Sequence, residues 1–163
     1  MKHAIKWGCI FALASLLWMV FERAIGLHDT LIAQHATYTN LFAIPAVVIF
    51  FRAIYTKRRD NGGHITVKDA FITGLLVTLV VTILVVPVTL ISYKLISPHY
   101  LANIKAFSIQ SGQMTAAEAE NYFSIRNYTI VGIIGGMILG IVTSGFMALI
   151  LQKKPGQKSP LDL

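Results

Sequence analysis

Long apolar runs alternate with short polar segments along the chain, and the two longest runs lie after residue 69. Residues 70–93 and 127–152 each lack Lys, Arg, Asp and Glu throughout. A helix rises about 1.5 Å per residue, so either run is long enough to cross a hydrocarbon core of roughly 30 Å. Both runs are predicted to be transmembrane helices.

Two runs in the first half complete a predicted set of four spans. Residues 30–51 contain no Lys, Arg, Asp or Glu, and Pro45 within them is tolerated where neighbouring groups satisfy the freed backbone. The first run is short, but Lys6 and Arg23 extend from its ends toward the headgroups, which lets a helix span there. The predicted organisation is a single membrane domain, residues 1–163, with spans at about 4–25, 30–55, 68–96 and 127–152 and a basic tail at 153–163.

The connection between the third and fourth spans is predicted to be helical. Pro98 suits the first turn of a helix, and Gly112 breaks that helix. Thr115 and Glu118 have the spacing of a capping box, in which each side chain satisfies a free backbone N–H at a helix start. The predicted fold is therefore all-α: an integral membrane four-helix bundle with an outer, periplasmic helical hairpin at about 98–126.

The charge distribution predicts the orientation. Only 13% of the residues are charged, yet the net charge is +7. Four spans place ten basic residues on one side, namely Lys2, Lys6, Arg52, Lys57, Arg58, Arg59, Lys68, Lys153, Lys154 and Lys158. They place four on the other side, namely Arg23, Lys94, Lys105 and Arg126. Because cationic loops stay in the cytoplasm, both termini are predicted to be cytoplasmic in the inner membrane.

The basic cluster Lys57, Arg58 and Arg59 suggests a membrane-surface partner. Cytoplasmic leaflets carry anionic headgroups, which attract such clusters. No aromatic or motif context supports nucleic-acid binding, so none is predicted. The expected partners are the lipid bilayer, its anionic headgroups, and another membrane protein or a second copy of this chain.

A stripe of small residues predicts how the spans pack. Four residues rotate a helix by about 400°, so a repeat of four keeps one face. The fourth span carries Gly132, Gly136, Gly140, Ser144 and Ala148, and the third carries Gly74, Thr78 and Thr82. Small residues let two helices approach closely in a membrane. We expect Thr82 level with Gly140, Thr78 with Ser144 and Gly74 with Ala148; a homodimer seam is the alternative.

Five titratable residues are predicted to lie together at the outer interface: Glu22, His28, Asp29, His35 and His99. Imidazole nitrogen and carboxylate oxygen are ligands for zinc and similar ions. However, the sequence has no metal-binding motif such as HExxH. The simpler interpretation is a turn in which Arg126 pairs with Glu22, Asp29 caps the second span and Gly26 closes the first. We therefore expect no metal and no cofactor.

The chain resembles a known family over Lys6 to Lys154. The resemblance rests on GLHDTLIAQHATYTNLFAIPAVVIFFRAIYTKRRDNGGHITVKDAFITGLLVT and on TAAEAENYFSIRNYTIVGIIGGMILGIVTS, most of all on the NGG…I…AF…GL pattern of residues 61–75. These segments are similar to bacterial inner-membrane proteins of domain of unknown function 4199, found mostly in Bacteroidota. The resemblance implies four spans. It implies no activity, because none is established for the family.

No catalytic motif accompanies these features, so the protein is expected not to be an enzyme. The leading interpretation is a non-enzymatic scaffold or accessory component of a membrane assembly. The alternative is a small carrier or channel that uses Glu22, the nearby histidines and a helix bent at Pro87. A second alternative is a metal-dependent membrane enzyme with an outer histidine and carboxylate site.

Overall fold

The computed structural model describes residues 1–153 and shows long helices joined by short turns and a helical hairpin. Most of the predicted tail, residues 154–163, lies outside the described residues. The helices are α1 Lys2–Ala24, α2 His35–Tyr38, α3 Ala43–Asp60, α4 Val67–Ile91, α5 Tyr100–Gln110, α6 Ala116–Tyr122 and α7 Ile125–Leu151. Two 3-10 turns, Ile32–Gln34 and Thr39–Phe42, flank α2, and a π-helical turn, Ser92–Ile96, extends α4.

Four helical segments are long and apolar enough to cross a membrane: Lys2–Ala24, Ile32–Asp60, Val67–Ile96 and Ile125–Leu151. Their apolar surfaces stay exposed in the isolated chain, as Leu139 (68%) and Ile83 (64%) illustrate, which suits helices surrounded by lipid tails. The all-α class and the four apolar helices are thus confirmed. The periplasmic placement of the hairpin stays a prediction.

Side-chain caps mark where helices begin. The Thr66 hydroxyl accepts a hydrogen bond of 3.0 Å from the Asp69 backbone N–H at the start of α4. The predicted capping box of Thr115 and Glu118 opens α6, with both reciprocal hydrogen bonds present. Gly112 ends the preceding segment with a φ of +70°, a conformation that glycine adopts without steric cost. The helical hairpin is confirmed as two short helices.

The second span is not one continuous α-helix. Residues 32–42 form three short turns, and regular α-helix starts only at Ala43. Pro45 lies in the first turn of α3, where its missing N–H costs no helical hydrogen bond. Pro87, by contrast, lies inside α4, and the helix continues through it to the π-helical turn.

The small-residue stripe packs α4 against α7 within the chain, but one turn away from the expected register. A Cβ built on Gly74 would lie 2.5 Å from the Ser144 Cβ, and one on Gly140 would lie 2.5 Å from Thr78 Oγ1. The predictions that Thr78 lies level with Ser144, Thr82 with Gly140 and Gly74 with Ala148 are therefore wrong. Gly136 has no non-local heavy atom within 4 Å of an added Cβ, so it does not take part in this close approach.

The end of the bundle that carries the loop 61–66 and residue 153 is well packed, and we call it the basic end. Its buried apolar cluster comprises Ile54, Ile65, Ala70, Met147, Ala148 and Leu151. Ile65 and Lys153 exchange two backbone hydrogen bonds, of 3.1 and 2.9 Å, which join this loop to the end of α7. The opposite end carries residues 25–42 and 97–124, and we call it the hairpin end.

Arg58 belongs to the packing of the basic end. Its side chain is only 4% exposed, and it donates hydrogen bonds to the Gly63 carbonyl at 3.0 Å and the Leu151 carbonyl at 3.4 Å. The prediction that Arg58 faces lipid headgroups is therefore wrong, because its side chain points inward to carbonyl groups of the loop 61–66 and of the end of α7. Arg59 is exposed and Lys57 is half-buried.

Candidate functional site

The turn after α1 folds back under the hairpin. Gly26 has a φ of +85° and donates to the Arg23 carbonyl, while the Leu27 N–H donates to the Glu22 carbonyl at 2.9 Å. This pair of bonds is a Schellman motif, and it confirms that Gly26 closes the first helix. The reversal buries the next two residues: Leu27 is 2% exposed and His28 is 3% exposed.

Three of the predicted residues meet at this end of the bundle: Glu22, His28 and His35. Glu22 Oε2 lies 3.4 Å from His28 Nε2 and 3.8 Å from His35 Nε2. One ligand atom from each residue lies within 4.8 Å of the other two. Glu22 and His28 are each 3% exposed, and the side chain of His35 is 14% exposed. The spacing of seven residues between His28 and His35 does not predict that they meet, because the chain reverses direction between them.

A second layer of polar groups holds these three side chains. The Trp18 indole N–H donates a 2.8 Å hydrogen bond to Glu22 Oε1. His28 Nδ1 lies 2.8 Å from Ser97 Oγ, and His35 Nδ1 lies 3.2 Å from the Tyr100 hydroxyl. Each ring is thereby oriented with its Nε2 toward the Glu22 carboxylate.

Tyr100 connects the cluster to α7 and to the top of α4. Its hydroxyl lies 3.3 Å from the Tyr128 hydroxyl, and its ring stacks on Tyr93 with the centroids 5.5 Å apart. Burial, followed by the neighbouring Tyr128, raises the pKa of Tyr100 well above its ordinary value. The Tyr100 hydroxyl therefore stays neutral and can both donate and accept hydrogen bonds.

A cavity of about 710 Å³ adjoins the cluster. It is lined by α1, the turns of residues 32–42, the ends of α4 and α7, and the hairpin. Glu22 and His35 lie in its wall, whereas His28 does not line it. Glu22 is the one Asp, Glu, Lys or Arg side chain among the lining residues. Aromatic side chains form much of the remaining wall, including Trp18, Phe42, Tyr93, Phe107, Phe123 and Tyr128.

The other predicted participants lie elsewhere. Glu22 lies beside His28 and His35 and not beside Arg126, which is exposed. The predicted Glu22–Arg126 ion pair is therefore wrong, because the turn after α1 delivers closer partners. His99 is also exposed and precedes α5.

Two further residues near the turn have local structural roles. Asp29 is exposed and does not cap the second span, whose first turn begins after Leu31. The Arg23 guanidinium donates to the Ile96 carbonyl and so ties α1 to the π-helical turn.

Sequence reasoning missed the side chains that orient the cluster, namely Trp18, Ser97, Tyr100, Asn103 and Tyr128. One signal was present, since Trp18 stands four residues before Glu22 and therefore on the same helix face. The Asn103 amide donates to the His28 carbonyl at 2.8 Å, a contact between residues far apart in sequence that no local pattern reveals.

Comparison with known proteins identifies a family and no activity. A family model described as "Protein of unknown function (DUF4199)" matches residues 6–153. No curated protein and no solved structure matches the chain. With its four apolar helices and a family match over almost all of its length, the chain belongs to the DUF4199 family of proteins of unknown function.

Proposed function

We propose that the protein is a non-enzymatic membrane protein that binds a lipophilic organic cation in the hairpin-end cavity. The observation that carries the proposal is the composition of the wall, in which the described residues supply one carboxylate, Glu22, several aromatic rings and no Lys or Arg. A cavity of about 710 Å³ lies within the usual range for small-molecule sites.

Charge and aromaticity together select the ligand class. A carboxylate at a membrane helix end needs a cation, a proton or water. Aromatic faces attract ammonium and phosphonium groups, most strongly when water is excluded. An organic cation satisfies Glu22 and covers the apolar wall at once. An anionic ligand meets repulsion from Glu22 without any Lys or Arg among the described lining residues to offset it.

The test is binding of tetraphenylphosphonium to the purified protein in mild detergent by equilibrium dialysis. We expect saturable binding that weakens by more than about tenfold in Glu22→Gln, a loss of about 1.4 kcal/mol. Neutral triphenylphosphine oxide should bind much more weakly than the cation. Equal binding of the two probes, or unchanged binding in Glu22→Gln, would contradict the proposal.

A matched pair of aromatic variants locates the bound cation. Phe107 lines the cavity and is half-buried, whereas Phe146 is 60% exposed on α7 and does not line it. Phe107→Ala should weaken tetraphenylphosphonium binding severalfold, and Phe146→Ala should leave it unchanged. Equal losses in both variants would indicate partition into the detergent-covered surface.

We also propose that the protein lies in the inner membrane with both termini cytoplasmic and the hairpin end periplasmic. The ten-to-four distribution of Lys and Arg supports this orientation. Lys57 and Arg59 then lie where anionic headgroups attract them. A reporter that is active only in the periplasm should be inactive when fused after Leu163 and active when inserted at Gly112. The reverse pattern would overturn the orientation.

A scaffold or accessory role is the second candidate. The observation that favours it is the hairpin, which lies outside the spans and exposes Ile109 (41%) and Tyr122 (48%). Mild-detergent purification followed by mass spectrometry should recover a membrane protein in stoichiometric amount with the wild type. Recovery should fall in Ile109→Ser, and unchanged recovery would remove the hairpin from the interface.

A further inference from the structure

We propose that Glu22, His28 and His35 form a binding site for one divalent transition-metal ion of the zinc class. The proposal does not rest on organic-cation binding, because His28 contributes to the metal site without lining the cavity. Two imidazole nitrogens and one carboxylate oxygen are a ligand set that zinc and iron sites use.

The distances fit a tetrahedral ion. Ligand bonds of about 2.1 Å at tetrahedral angles separate neighbouring ligand atoms by roughly 3.4 Å. Glu22 Oε2 lies 3.4 Å from His28 Nε2 and 3.8 Å from His35 Nε2. Both carboxylate–imidazole separations therefore lie within a few tenths of an ångström of the tetrahedral value, and the three ligand atoms all lie within 4.8 Å of one another.

The second, independent observation is the His28 Nε2 atom. Within residues 1–153 it is the one fully buried side-chain nitrogen or oxygen that has no hydrogen-bond partner. Its 3.4 Å separation from Glu22 Oε2 is longer than the usual range for a hydrogen bond between nitrogen and oxygen. A buried polar atom without a partner is costly, and a cation between His28 and Glu22 removes that cost.

The surrounding hydrogen bonds orient the two imidazole rings and the Glu22 carboxylate for metal binding. When the Nδ1 proton of His28 is donated to Ser97 Oγ, the Nε2 lone pair faces Glu22. The Tyr100 hydroxyl does the same for His35. Trp18 occupies Glu22 Oε1 and leaves Oε2 for the ion. Such outer groups fix the tautomer and the ring orientation in metal sites.

The site is open on one side. Glu22 and His35 border the cavity, so a fourth ligand reaches the ion from there. Because the metal ion and an organic cation both use the Glu22 carboxylate, they compete. Zinc should raise the apparent dissociation constant of tetraphenylphosphonium in the wild type.

Zinc binding is measured on the full chain, purified with a tag that lacks histidine, stripped with a chelator and reloaded with zinc chloride. We expect one zinc per chain by elemental analysis and, after loading with cobalt, the visible absorption of a tetrahedral ion. His28→Ala should weaken zinc by at least about 100-fold, since loss of an outer partner alone costs 10–100-fold. His99→Ala, at an exposed histidine, is the matched control and should bind like the wild type.

Two further variants keep the test decisive. Ser97→Ala retains all three ligands and should weaken zinc by about 10–100-fold even if His28→Ala fails to fold. Phe107→Ala should weaken tetraphenylphosphonium binding severalfold and keep zinc, whereas His28→Ala should lose zinc and keep tetraphenylphosphonium, so the two proposals fail separately. Absence of stoichiometric zinc in the wild type, or equal affinity in Ser97→Ala and His99→Ala, would overturn the metal site.

Discussion

At the basic end of the bundle, α3, α4 and α7 pack together through apolar side chains, and Ile54 and Leu151 have no exposed surface. At the hairpin end, α1, α4 and α7 surround a cavity of about 710 Å³ with a carboxylate and a histidine in its wall. The difference follows from the second span, which becomes a regular α-helix only at Ala43. One end thus supplies packing, and the other supplies space and polar groups.

The comparison shows that a small residue promotes packing only where a second backbone is present. Gly74 and Gly140 each have a partner side chain from the facing helix within 2.6 Å of an added Cβ. Gly136, one turn from Gly140 on the same helix face, has no such neighbour. The close approach is therefore interrupted at Gly136, although an added Cβ on Gly132 would again come within 3.1 Å of Val85 Cγ1 on α4.

The largest expected effect is that of Gly74→Leu. An added Cβ already meets the Ser144 Cβ at 2.5 Å and its Cα at 3.1 Å, so a leucine must force α4 and α7 apart. Overpacking typically costs about 1–3 kcal/mol, and here we expect a loss at or above that range. Unfolding by denaturing detergent, followed by circular dichroism, measures it.

Gly136→Leu is the matched control for that substitution. It introduces the same side chain at a position without non-local heavy atoms within 4 Å, so its effect should stay within about 0.5 kcal/mol. Equal destabilisation by the two variants would mean that the stripe packs along its whole length, against a second copy of the chain as well.

The fold was predictable because membrane spans depend on local composition. Runs such as residues 70–93 and 127–152 identify helices without any knowledge of their neighbours. The helix register was not predictable to one turn, since Gly136 and Gly140 are equivalent in a repeat of four. Their difference depends on where Thr78 comes to lie on the facing helix.

An intermediate effect is expected from Arg58→Met at the basic end. The substitution keeps most of the apolar stem but removes the hydrogen bonds to the Gly63 and Leu151 carbonyls. Hydrogen bonds to charged groups are worth about 1.5–3 kcal/mol, so we expect a loss of about 2–3 kcal/mol in the same assay. Arg59→Met, at an exposed neighbour, should cause little change; a similar loss there would point to a general effect of charge.

The candidate site was predictable in part, for a physical reason. The titratable residues Glu22, His28 and His35 are conspicuous in an apolar sequence. Which of them converge depends on the Schellman turn at Gly26 and on the contact of His35 with Tyr100, the first residue of α5. The predicted ion pair of Glu22 with Arg126 relied only on the similar depth of the two residues in the membrane. Depth does not specify the direction in which a side chain points around its helix.

The smallest expected effect concerns Thr115→Ala in the hairpin. The change removes the capping box of α6, which costs about 1 kcal/mol. It should fray this short helix without altering the four spans. Hydrogen exchange should therefore rise in residues 116–122 alone.

The start of α6 should also depend on pH. The Thr115 backbone and hydroxyl hydrogen bonds hold the pKa of Glu118 below its ordinary value. The stabilisation of α6 by these bonds is therefore present above the ordinary pKa of Glu118 and is lost as the pH falls through the lowered pKa. Acid should then fray α6 in the wild type but have less effect in Glu118→Gln, which cannot titrate. An equal acid response in the wild type and Glu118→Gln would assign the fraying to another carboxylate.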